Sequence, residues 1–327
     1  MSVAAPTRTA VWTRHWAGGS PHSCAGSYGD TYGGAIAAFW QSVLKQTAAG
    51  SRILDLATGA GALPRLFFEQ RPDLVLSIDA VDLVESTPRW LDTLPSAQAR
   101  SIRFHTGTPL ENLPFADGEF DLVVSQYGLE YARRPEAIDE LRRVRAGRGR
   151  TALVLHHADA RPVRLAAVEV GHIEWLRAGD GLIAAARAMI EPMSRAATPE
   201  GRSSLALDSD ALTARNIFNN VQERLSQRAD SAPDGADLLH EARDAVAQAL
   251  QAARAQGEAT DAHAALSALE SNLSDARLRL QELVDCALDA RAAATLAATL
   301  GGTTSPPALA TLVDQGHLMG WTLRIEP

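Results

Sequence analysis

The chain has 327 residues, enough to bury one sizeable core with an appendage or two modest domains. Its formal net charge of −8 argues against a nucleic-acid backbone as the main partner, because tracking phosphates needs clustered Lys and Arg. Lys45 is the only lysine, and the arginines interleave with acidic residues. Cys24 and Cys286 match no metal-ligand spacing, so no metal site is expected. The first ten residues lack an apolar signal core and no apolar run approaches a membrane span. A cytoplasmic protein without a membrane partner is expected.

Residues 1–50 gather Trp12, Trp16, Tyr28, Tyr32, Phe39 and Trp40 among glycines and small polar residues. Such a segment either caps the core or folds over a ligand as a lid that excludes water. Residues 51–159 alternate short apolar runs with helix-period stretches. Strands are expected at Arg52–Leu56, Leu74–Leu83, Ile102–His105, Asp121–Ser125 and Thr151–His157, with helices at Pro64–Gln70 and Pro135–Val144. Short continuous apolar strands alternating with helices predict a Rossmann-like, doubly wound, mostly parallel α/β sheet buried on both faces.

Residues 160–300 read almost wholly as helix, with breaks near Pro199–Gly201 and Ser231–Gly235. Apolar stripes on Leu238–Ala253 and Leu266–Ala287 predict an antiparallel helical hairpin around Gly257–Asp261. This large α-helical insertion would roof a substrate pocket or form a homodimer, although such a stripe more often packs inside its own chain. In residues 301–327, Leu309–Val313 and Leu318–Ile325 suit a hairpin that closes the sheet.

The strongest chemical signal is Ile53-Leu54-Asp55-Leu56-Ala57-Thr58-Gly59-Ala60-Gly61-Ala62-Leu63. Here a buried strand meets a turn of small residues and then a helix, which lets the backbone approach a ligand closely. Asp82 follows at a strand end about twenty residues later, where a carboxylate can accept two bonds from vicinal ribose hydroxyls. Leu83 follows it at once. Asp79, earlier in the same strand, competes for the role. Gln126, Tyr127, Glu130 and Tyr131 are expected to open a helix after the fourth strand, with the last three on one face.

These motifs, with the run Gly107–Ser125 (GTPLENLPFADGEFDLVVS) and the later Glu140–Val144 and Gly147–Arg150, resemble class I S-adenosylmethionine (SAM)-dependent methyltransferases. The small-molecule branch that includes the quinone-biosynthesis C-methylases is the most similar. The resemblance spans roughly residues 50–157. It implies SAM as cofactor and a seven-stranded sheet whose final strand is antiparallel. It places Asp55, Ala57, Gly59 and Gly61 around the methionine part of SAM, Asp82 and Leu83 at the ribose, and Thr108, Pro109 and Leu110 by the adenine. Ser125 and Gln126 would line the methyl-transfer mouth. Two positions depart from the family pattern: Ala57 stands for its first loop glycine, and Thr108 for an acidic residue that many relatives place by the adenine.

The sulfonium is already activated, so the protein chiefly supplies orientation, a dry pocket and, for a hydroxyl acceptor, a base. His156 and His157 close the fifth strand at the ligand-binding edge, and one of them is expected to face the pocket as that base. Their alternative is a pair of strand-end histidines bonded to loops. Tyr28 and Tyr32 could meet the SAM carboxylate or sulfonium, since an aromatic face attracts a cation. The sequence therefore predicts methyl transfer to a small-molecule acceptor at oxygen, nitrogen or carbon. Its rival is a non-catalytic SAM-fold protein that binds a partner through its helices. A nicotinamide oxidoreductase is disfavoured because a tight Gly-x-Gly-x-x-Gly is absent.

Overall fold

The computed structural model describes residues 7–20, 22, 32–85, 87–301 and 306–327. Two compact units divide the chain: one holds residues 1–164 and 282–327, the other 165–281.

In the first unit the elements run α1 (Arg8–Ala17), α2 (Gly34–Leu44), β1 (Arg52–Leu56), α3 (Ala62–Gln70), β2 (Ser77–Val81), α4 (Ser96–Ala99), β3 (Ile102–His105), β4 (Phe120–Gln126), α5 (Arg134–Val144) and β5 (Arg145–Leu155). After the second unit the chain returns through the helix Ala290–Leu300 to β6 (Ala308–Asp314) and β7 (His317–Ile325). The sheet order is β3-β2-β1-β4-β5-β7-β6. Strands β1 to β5 are parallel, while β7 runs antiparallel to both β5 and β6. Strand order reverses between β1 and β4, so the crevice at their carboxyl ends is where such a sheet binds ligands.

Each central strand is buried on both faces because it is apolar at consecutive positions. Ile53, Val124 and Val154 enter one core with Ile36 and Trp40 of α2 and Phe67 of α3. Their neighbours Leu54, Val123 and Leu153 enter the other core, with Ile138 and Leu141 of α5 and Leu296 and Leu300 of the C-terminal helix. The period of two thus divides one hydrophobic run between two layers.

Strand ends differ from the expectation. β2 stops at Val81, so Asp82 and Leu83 lie in the turn beyond it. β5 begins earlier, at Arg145, and ends at Leu155. The expected turn at Gly147–Arg150 lies within its first half, where the pairing with β4 shifts register between Phe120 and Leu122. The closing hairpin turns at Gln315 and Gly316, both at positive φ, which suits the twist of a two-residue antiparallel loop.

Helices Arg161–Arg177, Leu182–Arg195, Pro199–Leu205, Ser209–Ser231, Ala236–Gln256 and Thr260–Cys286 supply the second unit. Thr198 and Asp208 cap the third and fourth of these through their side-chain oxygens, and Gly257 ends the fifth in the left-handed conformation. The stripe Leu239, Ala242, Val246, Ala249 and Ala253 packs against Leu182–Arg195 and Ser209–Ser231. Leu266 and Leu273 are buried in the same core. That stripe is satisfied inside the unit.

Candidate functional site

The buried strand β1 delivers the chain into a turn that only small residues can form. Ala57, Gly59 and Gly61 have φ of 53°, 56° and 72°. A Cβ at Gly59 would lie 2.8 Å from the Trp16 ring, and one at Gly61 would meet Phe104 at 2.8 Å and Trp90 at 2.9 Å. Ala57 takes the left-handed conformation despite its Cβ, at a strain of about 1–2 kcal/mol. Gly128, in the turn after β4, allows the two turns to approach: a Cβ there would stand 2.6 Å from that of Ala57.

Asp82 is fastened to this turn. Its Oδ2 accepts from the Gly59 N–H at 2.7 Å and its Oδ1 from the Val84 N–H at 2.9 Å. Burial pushes the Asp82 carboxyl above its ordinary range, opposed by those backbone donors. Asp79 is engaged elsewhere, with Arg103 at 2.9 and 2.8 Å and His105 at 2.8 Å. Burial works against its charge, but Arg103 and His105 outweigh burial and hold the carboxyl low. Asp55, 2% exposed, has no ionic partner of this kind, and its polar neighbour is the Thr58 hydroxyl. Burial raises its pKa from 3.8 to about 7, with Thr58 offsetting part of the rise and the Asp82 charge adding to it.

A cavity opens at this edge of the sheet. Residues 57–60, 82–84, 109–111 and 126–128 line it, with Tyr131, Ala132 and the N-terminal Arg8, Thr9, Trp12, Trp16, His22 and Tyr32. Its wall is mostly apolar and aromatic with few polar groups, as in small-molecule sites.

Of the residues the sequence pointed to, Ala57, Gly59, Asp82, Leu83, Pro109, Leu110, Gln126 and Tyr32 meet at this cavity. Asp55, Gly61, Thr108 and Ser125 do not line it but bear on its walls. Ser125 Oγ donates to the Leu56 carbonyl at 2.9 Å and accepts from the Leu129 N–H at 3.1 Å, tying the ends of β1 and β4. The Thr108 N–H donates to the Asp82 carbonyl at 2.9 Å. Tyr28 and Cys24 lie outside the described residues.

His156 and His157 are not among the lining residues. β5 ends at Leu155, so the alternation of a strand no longer aims them. His156 is buried, stacked on Tyr127 with ring centroids 4.2 Å apart, and both its N–H and its Nδ1 meet Glu130 Oε1 at 2.8 Å. His157 stacks on Trp321 at 4.3 Å, and its Nδ1 accepts from the Asp159 N–H. The expected helix at residues 126–131 is also replaced. Tyr127 turns at φ 52°, a short 3₁₀ turn covers Leu129–Tyr131, and α5 starts only at Arg134. Tyr127, Glu130 and Tyr131 therefore do not share a helical face: the two tyrosines line the cavity and Glu130 is buried against His156.

Sequence reasoning missed Arg8, Thr9, Glu111 and Gly128, and left Trp12 and Trp16 open between core packing and a lid. The four-residue spacing of the two tryptophans was a usable signal, since it puts both on one helical face. Trp12 stacks on Trp16 with centroids 5.9 Å apart and meets Tyr131 edge-on at 5.8 Å. Its Nε1 donates to Glu282 at 2.7 Å; the Arg8 guanidinium pairs with the same carboxylate at 2.7 Å and donates to the Tyr131 carbonyl. Helix α1 is thereby latched over the cavity.

A methyltransferase-domain family model matches residues 53–149. Over 112 residues the chain is 33% identical to a ubiquinone/menaquinone biosynthesis C-methyltransferase of Geotalea uraniireducens, a match covering 33% of this chain and 46% of that protein. It is 36% identical over 109 residues to a demethylmenaquinone methyltransferase of Thermus thermophilus, covering 32% and 47%. The chain spans about half the length of the curated relatives it matches. A solved SAM-dependent methyltransferase from Aquifex aeolicus is 18% identical, over 37% of this chain and 65% of that one, at a TM-score of 0.32. With the strand order and the glycine turn, the family match over residues 53–149 makes this segment a class I SAM-dependent methyltransferase domain, similar to the quinone-methylating enzymes, with SAM as the cofactor of its family.

Proposed function

We propose that the protein transfers a methyl group from SAM to a small-molecule acceptor in the cavity at the carboxyl edge of the sheet. The observation that carries this reading is the junction of the glycine turn and Asp82 at one cavity, joined by the 2.7 Å bond from the Gly59 N–H. The residues fit the cofactor. Positive φ at Gly59 and Gly61 forms the tight glycine turn, onto which Trp16, Trp90 and Phe104 pack closely. Asp82 holds each backbone donor with one oxygen and keeps lone pairs for ribose hydroxyls. The buried Asp55 carboxyl and Thr58 hydroxyl suit the polar methionine end.

Bound SAM supplies an electrophilic methyl on a sulfonium. The chain's own contribution is to orient it and to exclude water. Asp82 and the 57–61 turn hold it, Pro109 and Leu110 give an apolar wall for the adenine, and Trp12, Trp16 and Tyr131 present rings that favour a nearby cation. No base is assigned, because His156 and His157 stand outside the lining. An amine or a stabilised anion as acceptor would not require one.

Calorimetric titration with SAM and S-adenosylhomocysteine tests the reading. The wild type is expected to bind either ligand at micromolar concentration, and Asp82→Ala at least roughly tenfold more weakly through loss of charge-assisted hydrogen bonds. A folded wild type that binds neither ligand would refute it and leave the non-catalytic SAM-fold alternative ahead.

A further inference from the structure

Gln126 ends β4, lines the cavity and is 7% exposed. Its Oε1 accepts from Trp40 Nε1 at 2.6 Å. An indole N–H can only donate, so this bond fixes which end of the amide is oxygen and which is nitrogen. Trp40 is fully buried and packs edge-on against Phe67 and Phe39, so the amide is held in that orientation. The NH₂ group is left buried without a hydrogen-bond partner. A buried donor in this condition opposes folding, and an apolar residue of the same size would avoid that cost.

Two other polar groups of the lining are committed. The Tyr127 hydroxyl donates to the Met319 carbonyl, and the Arg8 guanidinium is held by Glu282 and the Tyr131 carbonyl. Gln126 also belongs to the β4 side of the cavity, whereas Asp82, Pro109 and Leu110, assigned to the ribose and adenine, come from the turns after β2 and β3. We infer that Gln126 is a specificity-determining residue: its oriented amide donates a hydrogen bond to an oxygen of the methyl-accepting substrate. This rests on the methyltransferase reading above. The substrate class is one that carries a hydrogen-bond-accepting oxygen, as a carbonyl, carboxylate or phenolate does, near the atom to be methylated. A site with a donor waiting in a low-dielectric wall discriminates strongly against an analogue that lacks the oxygen.

The test uses 4-nitrophenolate, whose absorbance reports its hydrogen bonding, titrated into protein saturated with S-adenosylhomocysteine. Gln126→Glu keeps the size and the oxygen that accepts from Trp40 but removes the donor; Gln126→Leu removes both. The wild type is expected to bind the phenolate, and both variants to bind it roughly 10- to 100-fold more weakly, with affinity for S-adenosylhomocysteine unchanged. Equal phenolate affinity in wild type and Gln126→Glu would overturn the inference, as would no phenolate binding by the loaded wild type. Parallel loss of phenolate and S-adenosylhomocysteine binding in the variants would overturn it too, by moving Gln126 to the cofactor. Failure of the unmodified protein to bind S-adenosylhomocysteine is measured separately and sinks the methyltransferase reading itself.

Discussion

Replacing Asp55 with asparagine should stabilise this protein at neutral pH and above. Asp55 is 2% exposed in β1, and burial lifts its carboxyl from 3.8 to about 7, a rise of about three units. Each unit corresponds to about 1.4 kcal/mol between protonated and ionised forms, so the full effect is about 4 kcal/mol. The direction follows from the raised pKa. Stability from the neutral carboxyl is complete below about pH 4, where the unfolded chain is also protonated. It is lost as pH climbs to about 7, because the unfolded chain gives up the proton first. Above that the loss is constant. Asparagine keeps the shape and cannot ionise.

Urea unfolding of the wild type and Asp55→Asn between about pH 4.5 and 8.5 therefore gives two diverging stability curves. The gap should widen in the variant's favour by up to about 1.4 kcal/mol per pH unit inside the window and then flatten. Parallel curves would refute the reasoning, since Asp55 would then titrate alike in folded and unfolded chains. A gap that narrows with rising pH would mean an unrecognised cationic partner. A residue that weakens its own fold at neutral pH is expected where function requires the charge.

Further outcomes follow from the same geometry. A ligand that brings a cation to Asp55 should draw off its proton, so SAM binding near pH 6 should release protons into the buffer; titrations in buffers of different ionisation enthalpy would show this for the wild type and not for Asp55→Asn. Gly59→Ala should weaken S-adenosylhomocysteine binding in calorimetry by at least roughly tenfold and cost about 1–2 kcal/mol in urea, from its positive φ and the contact with Trp16. Glu130→Ala should destabilise by about 3 kcal/mol or more, because both bonds to His156 are lost inside the core; the same unfolding assay reads it. Glu282→Ala should unlatch α1, seen as faster amide exchange over Arg8–Ala17 and severalfold weaker binding of S-adenosylhomocysteine.

The inner strands were legible because they are buried on both faces, so β1 and β4 appear in the sequence as short, largely apolar runs within a residue or two of their bounds, while the edge strand β3 alternates apolar and polar side chains. Their ends were not. β2 was drawn through Leu83 because apolar character continues, yet the chain turns at Asp82, whose carboxylate takes the N–H groups of Gly59 and Val84. That event depends on a residue 23 positions away and leaves no mark on local periodicity. The helix expected after β4 failed for a related reason. Tyr127 adopts φ 52°, a conformation normally read from glycine, and Tyr127 is stabilised there by its ring on His156 and its hydroxyl on Met319. The histidine pair was misplaced by the same short overrun of β5.

These errors share a location with the chemistry. Among the described residues, buried polar atoms of Asp55, Thr58, Gln126, Glu130 and His156 gather at or just past the carboxyl ends of β1, β4 and β5, while others, of Gln70, His172 and His240, lie elsewhere in the chain. The left-handed Ala57 and Tyr127 sit there as well. Burial of polar groups without partners and non-glycine left-handed turns both oppose folding, and a sequence selected for stability alone would replace each of them cheaply. Their concentration at the edge where strand order reverses, around one cavity, is what a binding site does to the chain that carries it. Local sequence rules fail there because they describe a chain folding for itself, whereas these residues are arranged for what enters the cavity.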